Sequence, residues 1–302
     1  MVSYLDEAQV REVLQWDPLI AAMESALASF SSGQVIQPVR EVLTVEEGKR
    51  YLGIMPAVTP SSMGLKLVSF YPGNAGTGIP THHAIIVLFR TDTGEPLAIM
   101  DGRLITEMRT AAVSAAVTKR LVPESCHTLA LLGSGVQAAA HLEALSRVRR
   151  FDDIRVWSQS PENAQRFAAQ HNVKAMPDVE SAVGDADVIV TATNALQPFL
   201  KGAWLKSGAL VNAVGSPRPT WRELDDEAMI SGALVVDSRE AVLKESGDVI
   251  LSKATIYAEV GEIFHGTKPK PPAGSIIVFK SVGIAVEDIA AARLVYEATF
   301  GA

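Results

Sequence analysis

The sequence has 302 residues, of which 48% are hydrophobic and 20% are charged, and its formal net charge is −7. This length allows two domains with a buried core each, and this composition excludes a disordered chain. The acidic balance argues against a nucleic-acid or anionic-membrane partner, because both need a basic surface.

The first residues of the chain and its cysteine content indicate the cellular compartment to expect. Residues 1–14 are acidic and amphipathic, without the basic flank or cleavage site of a secretory leader. No apolar run approaches the roughly 18–20 residues of a membrane span. The single cysteine, Cys126, excludes an internal disulfide and suits a reducing compartment. We therefore expect a cytoplasmic protein with no membrane partner.

The first part of the chain reads as helices followed by strands. Helical spacing predicts helices over 6–15 and 17–31, the second with Asp17 as its N-cap and Pro18 at its first position. Strands are predicted over 39–45, 51–55, 64–71, 84–90 and 97–101. A long helical pattern follows over 104–121 and ends before a proline.

Beyond this helix, short β-rich runs alternate with helical stretches. The runs cover 128–132, 154–157, 187–191, 209–213 and 233–237, and the helical stretches cover 136–149, 161–171 and 223–231. Such alternation predicts a parallel sheet with helical crossovers. An apolar run at 275–279 and a helix near 284–299 close the chain. We expect an α/β fold, with a Rossmann-type parallel-sheet domain at 120–278 and an α+β domain formed from 1–119 and 279–302.

A glycine-rich turn follows the run 128–132 and opens a helix. Gly133 to Ala138 read G-x-G-x-x-A. Gly133 permits the tight turn, Gly135 lets the backbone approach a pyrophosphate, and Ala138 keeps the helix close to the sheet. The free N–H groups and the dipole at the helix start attract phosphates. This context predicts a dinucleotide site, and a turn without a ligand is the alternative.

The second Rossmann strand ends in Ser158-Gln159-Ser160. An NAD-specific domain usually has an acidic residue here for the ribose hydroxyls. Ser158 and Ser160 can instead donate hydrogen bonds to a 2′-phosphate, which favours NADP(H). No arginine stands here to bind that phosphate, so NAD(H) stays possible. Ser160 with Pro161 also reads as a helix N-cap.

Several stretches resemble the ornithine cyclodeaminase/mu-crystallin family, and within it the mu-crystallin-like ketimine reductases. They are KLVSFY (66–71), MDG (100–102), ITEMRTAAVSAA (105–116), GSGVQA (133–138), the segment 211–248 and FKSVGIAVED (279–288). The resemblance covers nearly the whole chain in order. It implies a homodimer in which the domain from both chain ends binds substrate and forms the interface, with the substrate in a cleft facing the nucleotide.

The same resemblance implies roles for particular positions. Lys66 and Arg109 match catalytic positions, and Arg40 joins them in binding the substrate carboxylate. Independently of the resemblance, Glu245 and Asp248 follow the strand that carries Asp237 and could orient a substrate amine or a proton-relaying water, with helix capping or surface solvation as equal alternatives. The expected cofactor contacts are Thr81, His82, Arg109, Gly133, Gly135, Val136, Gln137, Ser158, Gln159, Ser160, Thr191, Val214, Gly215 and Ser281. Gln159 replaces an arginine of mu-crystallin, which weakens the NADP(H) preference.

Simpler structural explanations exist for the charged candidates. Lys66, between two leucines, would be a lysine on an edge strand, and Arg109 would be a solvated arginine on its helix. Adjacent His82 and His83 would point to opposite sides of a strand, so a shared metal is not expected. We expect no metal site and no hydrolytic triad.

Pro217 argues against one reaction of this family, the deaminating ring closure of ornithine. Cyclodeaminases of this family carry an aspartate at its position, and proline has no carboxylate to activate water or an amine. We therefore expect NAD(P)H-dependent reduction of small cyclic imino acids, such as pyrroline- or piperideine-2-carboxylate, to cyclic amino acids. An open-chain amino-acid dehydrogenase or imine reductase, and a non-catalytic protein that binds small ligands, are the alternatives. The expected partners are a small imino, keto or amino acid and a second copy of the chain.

Overall fold

The computed structural model describes residues 2–74 and 76–301 and divides into two compact units. The first unit comprises Met1–Arg109 and Ile284–Ala302, and the second comprises Thr110–Gly283. The sequence placed the limits of the second domain at 120 and 278 instead. Both first limits, the one at 109/110 and the one at 119/120, lie inside a continuous helix, α3 (Arg103–Leu121), and a limit at 278 lies within the last strand, β14 (Ile277–Lys280).

The first unit is built on a six-stranded sheet. In spatial order its strands are β1 (Ser3–Leu5), β6 (Pro96–Asp101), β5 (His82–Phe89), β4 (Met63–Phe70), β3 (Arg50–Val58) and β2 (Glu41–Glu46). The pair β1–β6 is parallel and the other pairs are antiparallel. β4 is an interior strand, flanked by β5 and β3. A side chain on β4 is therefore shielded by a neighbouring strand on each side.

One face of this sheet is covered by helices, chiefly α11 (Ala285–Phe300), which also packs against α2 (Trp16–Ser31). Alternation along β3 buries Tyr51, Met55 and Ala57 on this side. A Cβ at Gly64 would lie 2.4 Å from the Val87 carbonyl oxygen and 2.9 Å from Ile289 Cδ1. Glycine at this position lets α11 approach the sheet closely.

The opposite face of the same sheet, named here the outer sheet face, carries apolar side chains that remain partly exposed. Cross-strand pairing aligns Ile54 with Leu67 and Leu67 with Ile85, and residues paired in this way share a face. The outer sheet face consists of Leu43, Leu52, Ile54, Leu65, Leu67, Ile85, Val87 and Ile99. Leu43 is 45% exposed and Ile85 is 42% exposed.

The first helices begin differently from the prediction in one respect. Asp6 caps α1 (Glu7–Val13) through a capping box with Gln9. The predicted N-cap at Asp17 is wrong, because α2 starts at Trp16 with Gln15 in the extended cap conformation. Pro18 therefore lies within the first turn, where its missing N–H removes no intrahelical bond.

The second unit contains an eight-stranded sheet in which every pair is parallel. The order is β13 (Ile256–Glu259), β12 (Ala233–Val236), β14, β11 (Leu210–Ala213), β10 (Val188–Thr191), β7 (Thr128–Leu132), β8 (Asp153–Trp157) and β9 (Lys174–Ala175). This sheet confirms the predicted α/β fold class. Parallel strands end at one edge of a sheet, where α/β folds bind ligands.

The helices of the second unit, after its part of α3, connect these strands. They are α4 (Val136–Val148), α5 (Pro161–His171), α6 (Val179–Val183), α7 (Asp226–Ile230), α8 (Arg239–Glu245), α9 (Gly247–Ser252) and α10 (Val260–His265). Within the described residues, none of the helices combines the length and hydropathy required to traverse a bilayer.

Candidate functional site

The glycine-rich turn of the second unit connects β7 to α4. Gly133 has a φ of 122°, and a Cβ at this position would lie 2.6 Å from the Ala192 carbonyl oxygen. Only glycine meets both constraints. Its N–H donates a 2.8 Å hydrogen bond to the Trp157 carbonyl, so the turn is anchored to the end of β8.

The start of α4 is open to a ligand. Gly135 is its N-cap in an extended conformation, and a Cβ there would meet no atom of the described residues within 4 Å. Val136, the first helical residue, is 59% exposed, and Gln137 follows it at partial exposure. The first N–H groups of this 13-residue helix therefore fit a pyrophosphate, which takes hydrogen bonds from backbone amides and is attracted by the helix dipole.

The three predicted cofactor contacts Ser158, Gln159 and Ser160 directly follow β8. Ser134 donates a 3.1 Å hydrogen bond to the Ser158 hydroxyl, and Gln159 is exposed. Ser160 is the N-cap of α5 and donates to the Glu162 carboxylate at 2.7 Å. That bond lowers the pKa of Glu162, which is therefore negative at neutral pH. The negative charge beside Ser160 opposes a phosphate contact there.

The predicted contacts at the ends of β10 and β11 are held by a buried glutamate. Thr191 donates to Glu223 at 2.6 Å, and the Thr193 N–H and hydroxyl donate to the other carboxylate oxygen at 2.7 and 2.6 Å. Burial raises the pKa of Glu223. The N–H groups of Val214 and Gly215 donate to the Thr191 carbonyl at 3.0 and 3.1 Å.

A buried ion pair holds the segment that contains Gly215. Lys280 Nζ donates to the Gly215 carbonyl at 2.7 Å and lies 2.9 Å from Asp248 Oδ2. The other Asp248 oxygen accepts from the N–H groups of Glu223 and Leu224 at 2.9 and 3.0 Å. Both charged side chains are fully buried. We refer to Glu223, Asp248 and Lys280 as the buried charge network.

Ser281 is placed by an aspartate on the neighbouring strand end. Its hydroxyl donates to Asp237 at 2.9 Å, and the N–H groups of Val282 and Gly283 donate to the same oxygen at 2.8 and 2.7 Å. Burial raises the pKa of Asp237, and these hydrogen bonds oppose the rise. Glu245, the last residue of α8, is partly exposed.

In the first unit, two buried cations share one carboxylate. Lys66 Nζ lies 2.7 Å from Asp288 Oδ2, and Arg109 Nε lies 3.0 Å from Asp288 Oδ1. Arg109 Nη1 also lies 2.5 Å from Glu287 Oε2. Lys66 is 2% exposed and Arg109 is 4% exposed. An edge-strand lysine and a solvated arginine are therefore both wrong descriptions, because β4 is interior and α11 covers both side chains.

Burial and the neighbouring charges lower the pKa of the Lys66 ammonium toward neutral pH. Burial lowers the pKa of Lys66 to about 8, with Asp288 opposing the change and Arg109 and Arg40 adding to it. Burial alone would raise the pKa of Asp288, but Arg109 and Lys66 together bring it below its ordinary value. Arg40, just before β2, thus joins the two predicted cations. We call Arg40, Lys66 and Arg109 the cation cluster.

Thr81 and His82 lie at the beginning of β5. The Thr81 hydroxyl is 3.1 Å from His82 Nδ1, and the exposed His82 ring stacks on Phe70 with centroids 4.4 Å apart. This stacking agrees with a packing role for the ring. In the part of the chain that the structure describes, no group of three or more side chains has a metal-binding arrangement.

Glu223, Lys280, Glu287 and Asp288 were missed as site components. Lys280 and Asp288 stand within the stretch FKSVGIAVED, which supported the resemblance but received no role. A signal was present, since Lys280 directly follows the apolar run predicted at 275–279, and a charge beside a buried segment requires a partner. The identity of that partner depends on contacts distant in sequence.

Comparisons with known proteins agree with these features. The chain matches the ornithine cyclodeaminase/mu-crystallin family over residues 3–302. It is 48% identical to the ketimine reductase mu-crystallin of Mus musculus, and the match covers 98% of this chain and 96% of that protein.

Two solved structures are also similar. The Δ1-pyrroline-2-carboxylate reductase of Thermococcus litoralis, in complex with NADH and L-proline, has a TM-score of 0.94 and 33% identity, covering 100% of this chain and 98% of that one. An archaeal alanine dehydrogenase dimer with bound NAD has a TM-score of 0.93 and 29% identity, covering 99% and 96%. As the resemblance predicted, the chain belongs to the ornithine cyclodeaminase/mu-crystallin family.

Proposed function

We propose that this protein reduces small cyclic 2-imino acids, such as pyrroline- or piperideine-2-carboxylate, to cyclic amino acids with a nicotinamide dinucleotide. The observation that carries the proposal is the buried cation cluster, with Lys66 and Arg109 fixed by a common carboxylate. Two relatives support it by their names, a ketimine reductase and a pyrroline-2-carboxylate reductase in complex with NADH and L-proline. The open start of α4 binds the pyrophosphate of the cofactor.

The cation cluster binds the substrate carboxylate. Arg40, Lys66 and Arg109 bring two guanidinium groups and an ammonium group to one place beside Glu287 and Asp288, and such a group of cations attracts an anion. A planar guanidinium binds both oxygens of a carboxylate. Because Arg109 is itself held by two carboxylates, its orientation is set before substrate arrives, which restrains the face of the imine that reacts.

The reaction converts a C=N bond to a CH–NH bond. The cofactor, when bound, supplies a hydride to the imine carbon. The nitrogen needs one proton, so a protonated iminium is the better acceptor. The protein's contribution is to hold the carboxylate while tolerating positive charge at nitrogen. Pro217 supplies no carboxylate, so deaminating ring closure is not part of the proposal.

NADP(H) is the favoured cofactor in this proposal, and NAD(H) is also used. Ser134 and Ser158 bring two hydroxyl groups together at the end of β8, and no carboxylate stands at positions 158–160. Hydroxyl groups accommodate both a ribose hydroxyl and a 2′-phosphate. Glu162 beside Ser160 limits the preference for the phosphate.

The proposal is tested by steady-state kinetics with imino acids and both cofactors. We expect wild-type protein to oxidise NADPH with pyrroline-2-carboxylate or piperideine-2-carboxylate. Arg109→Ala should lower kcat/KM by about 100-fold or more, because a buried charged anchor is lost. Arg120→Ala, an exposed arginine on the same helix, is the matched control and should leave the rate unchanged. Wild-type protein that oxidises neither NADPH nor NADH with any imino acid would contradict the proposal.

An open-chain substrate is the second candidate, favoured by the similarity to an alanine dehydrogenase. The same carboxylate anchor would serve an imine formed from a keto acid and ammonia. Turnover that requires ammonium together with a keto acid, and that fails with cyclic imino acids, would select this candidate.

The proposed assembly is a homodimer formed through the outer sheet face, in the cytoplasm. Partly exposed apolar side chains extend over the strands from β2 to β6, with Glu41 and Asp101 on the same face at its two sides, and an apolar patch rimmed by polar residues marks an interaction site. A second copy of the chain is the occupant, since identical sheets offer matching apolar faces. The alanine dehydrogenase with a similar fold is described as a dimer.

A further inference from the structure

We propose that Asp288 is a positioning residue of the substrate site, whose carboxylate joins Lys66 to Arg109 and keeps the pair in the charge state that binds a carboxylate. This inference rests on the proposed function, since it assigns a substrate-binding role to the cation cluster. Asp288 acts through the two cations and does not itself contact the substrate.

The geometry of Asp288 supports this role. Its two oxygens are divided between the cations, with Oδ2 2.7 Å from Lys66 Nζ and Oδ1 3.0 Å from Arg109 Nε. The residue is fully buried and lies in the first turn of α11, where the helix dipole stabilises a negative charge. One carboxylate therefore connects a central strand, the helix α3 and the closing helix α11.

The surroundings of Lys66 explain why this carboxylate is needed. Across the sheet, Lys66 pairs with Met55 and Ile86, which offer no charge. Charged groups act on it from three directions: Asp288 on α11, Arg109 on α3, and Arg40 before β2. Glu287 on α11 pairs with Arg109. The Thr106 hydroxyl on α3 is 3.5 Å from Lys66 Nζ.

Asp288 balances the two neighbouring cations. Two buried positive charges repel one another, and each is costly to remove from water without a counterion. Burial, Arg109 and Arg40 lower the pKa of Lys66, and Asp288 is the group that raises it. Without its charge, the Lys66 pKa falls below about 8, and part of the population becomes neutral at physiological pH.

Glu287 is the control residue for Asp288. It is the residue before Asp288, it is equally buried, and it pairs with Arg109. The salt bridge to Lys66 is made by Asp288. Burial lowers the Lys66 pKa most, and the charged groups that act on it are Asp288, Arg109 and Arg40. Removing the Glu287 charge should therefore disturb Arg109 while changing the Lys66 titration less.

The test measures binding of pyrrole-2-carboxylate by calorimetry with NADPH present, from about pH 6 to about pH 10. This planar acid has the ring size of the proposed substrate, and its nitrogen does not titrate in this range. The Lys66 pKa is lowered yet remains near 8, so wild-type binding should be strong below pH 8 and weaken above it. In Asp288→Asn the weakening should begin at least about one pH unit lower. Glu287→Gln should weaken binding with a smaller change in this pH dependence.

Two further variants complete the test. Asp288→Glu keeps the charge but moves the carboxylate by one methylene, so its pH dependence should match the wild type while its affinity falls. Lys66→Met should remove the alkaline loss of binding. Thermal melting and NADPH binding report whether each variant folds, and Asp288→Glu decides the question if Asp288→Asn does not fold.

The outcomes separate this inference from the proposed function. Asp288→Asn with wild-type pH dependence, or Asp288→Glu with wild-type affinity, would overturn the positioning role. Wild-type protein that neither binds the acid nor reduces imino acids would overturn the proposed function instead.

Discussion

At the scale of single residues, Ser158 stands at the end of β8, where dinucleotide-binding domains usually carry the residue that contacts the ribose hydroxyls. Its hydroxyl accepts a hydrogen bond from Ser134 within the glycine-rich turn, so the two side chains lie where the ribose of a bound cofactor is expected. A hydroxyl carries no charge, and a phosphate is not repelled. The exposed Gln159 beside it offers a second place to change the preference.

Two substitutions at this position should have opposite effects. Ser158→Asp should lower the ratio of kcat/KM for NADPH over NADH by about tenfold or more, because a carboxylate repels the 2′-phosphate and accepts from the ribose hydroxyl. Gln159→Arg should raise the same ratio, because a guanidinium binds phosphate. The ratio is obtained from initial rates with each cofactor. An unchanged ratio in both variants would show that the ribose lies elsewhere.

The residues at these sites were predictable to different degrees. Gly133 and Gly135 follow from spacing within a strand–turn–helix pattern, and Lys66 and Arg109 follow from the family resemblance. The strand position and the ionic partner of Lys66 could not be predicted from the sequence. Whether Lys66 stands on an edge or a central strand depends on pairing with β3 and β5, and its counterion lies more than 200 positions away at Asp288.

At the scale of elements, the buried charge network joins β14 to α9 and to the segment after β11. Lys280 on β14 pairs with Asp248 on α9, and both are fully buried. A buried pair often contributes little relative to apolar residues of the same size, but loss of one partner leaves an uncompensated charge. This network therefore makes the position of the Gly215 segment dependent on β14.

Removal of one partner should be strongly destabilising. Lys280→Met should lower the free energy of unfolding by about 3–5 kcal/mol, because the buried Asp248 loses its near counterion and keeps only Arg222, at 4.0 Å. Lys280→Met combined with Asp248→Asn should recover part of the loss. Lys244→Met, which removes an exposed pair with Glu240 on α8, is the control and should have a much smaller effect. Urea denaturation followed by circular dichroism measures all three, and equal losses for Lys280→Met and Lys244→Met would contradict the expectation.

The elements themselves were largely predictable because their apolar patterns are local. Long helices such as α3 and α11 and the strands β7 and β10 lie within a few residues of their expected limits. The short β9 and the helix α6 carry too few residues to show a period. The place of β14 between β11 and β12 is a property of strand order, which no local pattern encodes.

At the scale of the whole molecule, the family and the α/β fold class predicted from the sequence are confirmed, and the predicted reduction of cyclic imines is the activity that the relatives' names support. The outer sheet face was not recognised from the sequence. In β3 and β4 apolar residues occupy both faces, so alternation does not separate a core side from an interface side.

The outer sheet face makes assembly testable. Light scattering after size exclusion should give twice the chain mass of 32.2 kDa for the wild type. Leu67→Asp, which places a charge between Ile54 and Ile85, should give a monomer, because an uncompensated carboxylate is costly in an apolar interface. Leu243→Asp, at an exposed leucine on α8, should remain dimeric. A monomeric wild type, or a dimeric Leu67→Asp, would exclude this interface.

The position of β14 also affects the order in which the chain can fold during synthesis. Until the ribosome has passed residue 280, β11 and β12 lack their common neighbour, and each exposes an unpaired edge capable of joining another nascent chain. The covering helix α11 is made later still. Neither core can be completed before the segment from β14 to α11 has been made, so a nascent chain that lacks this segment is the species most exposed to wrong strand pairing.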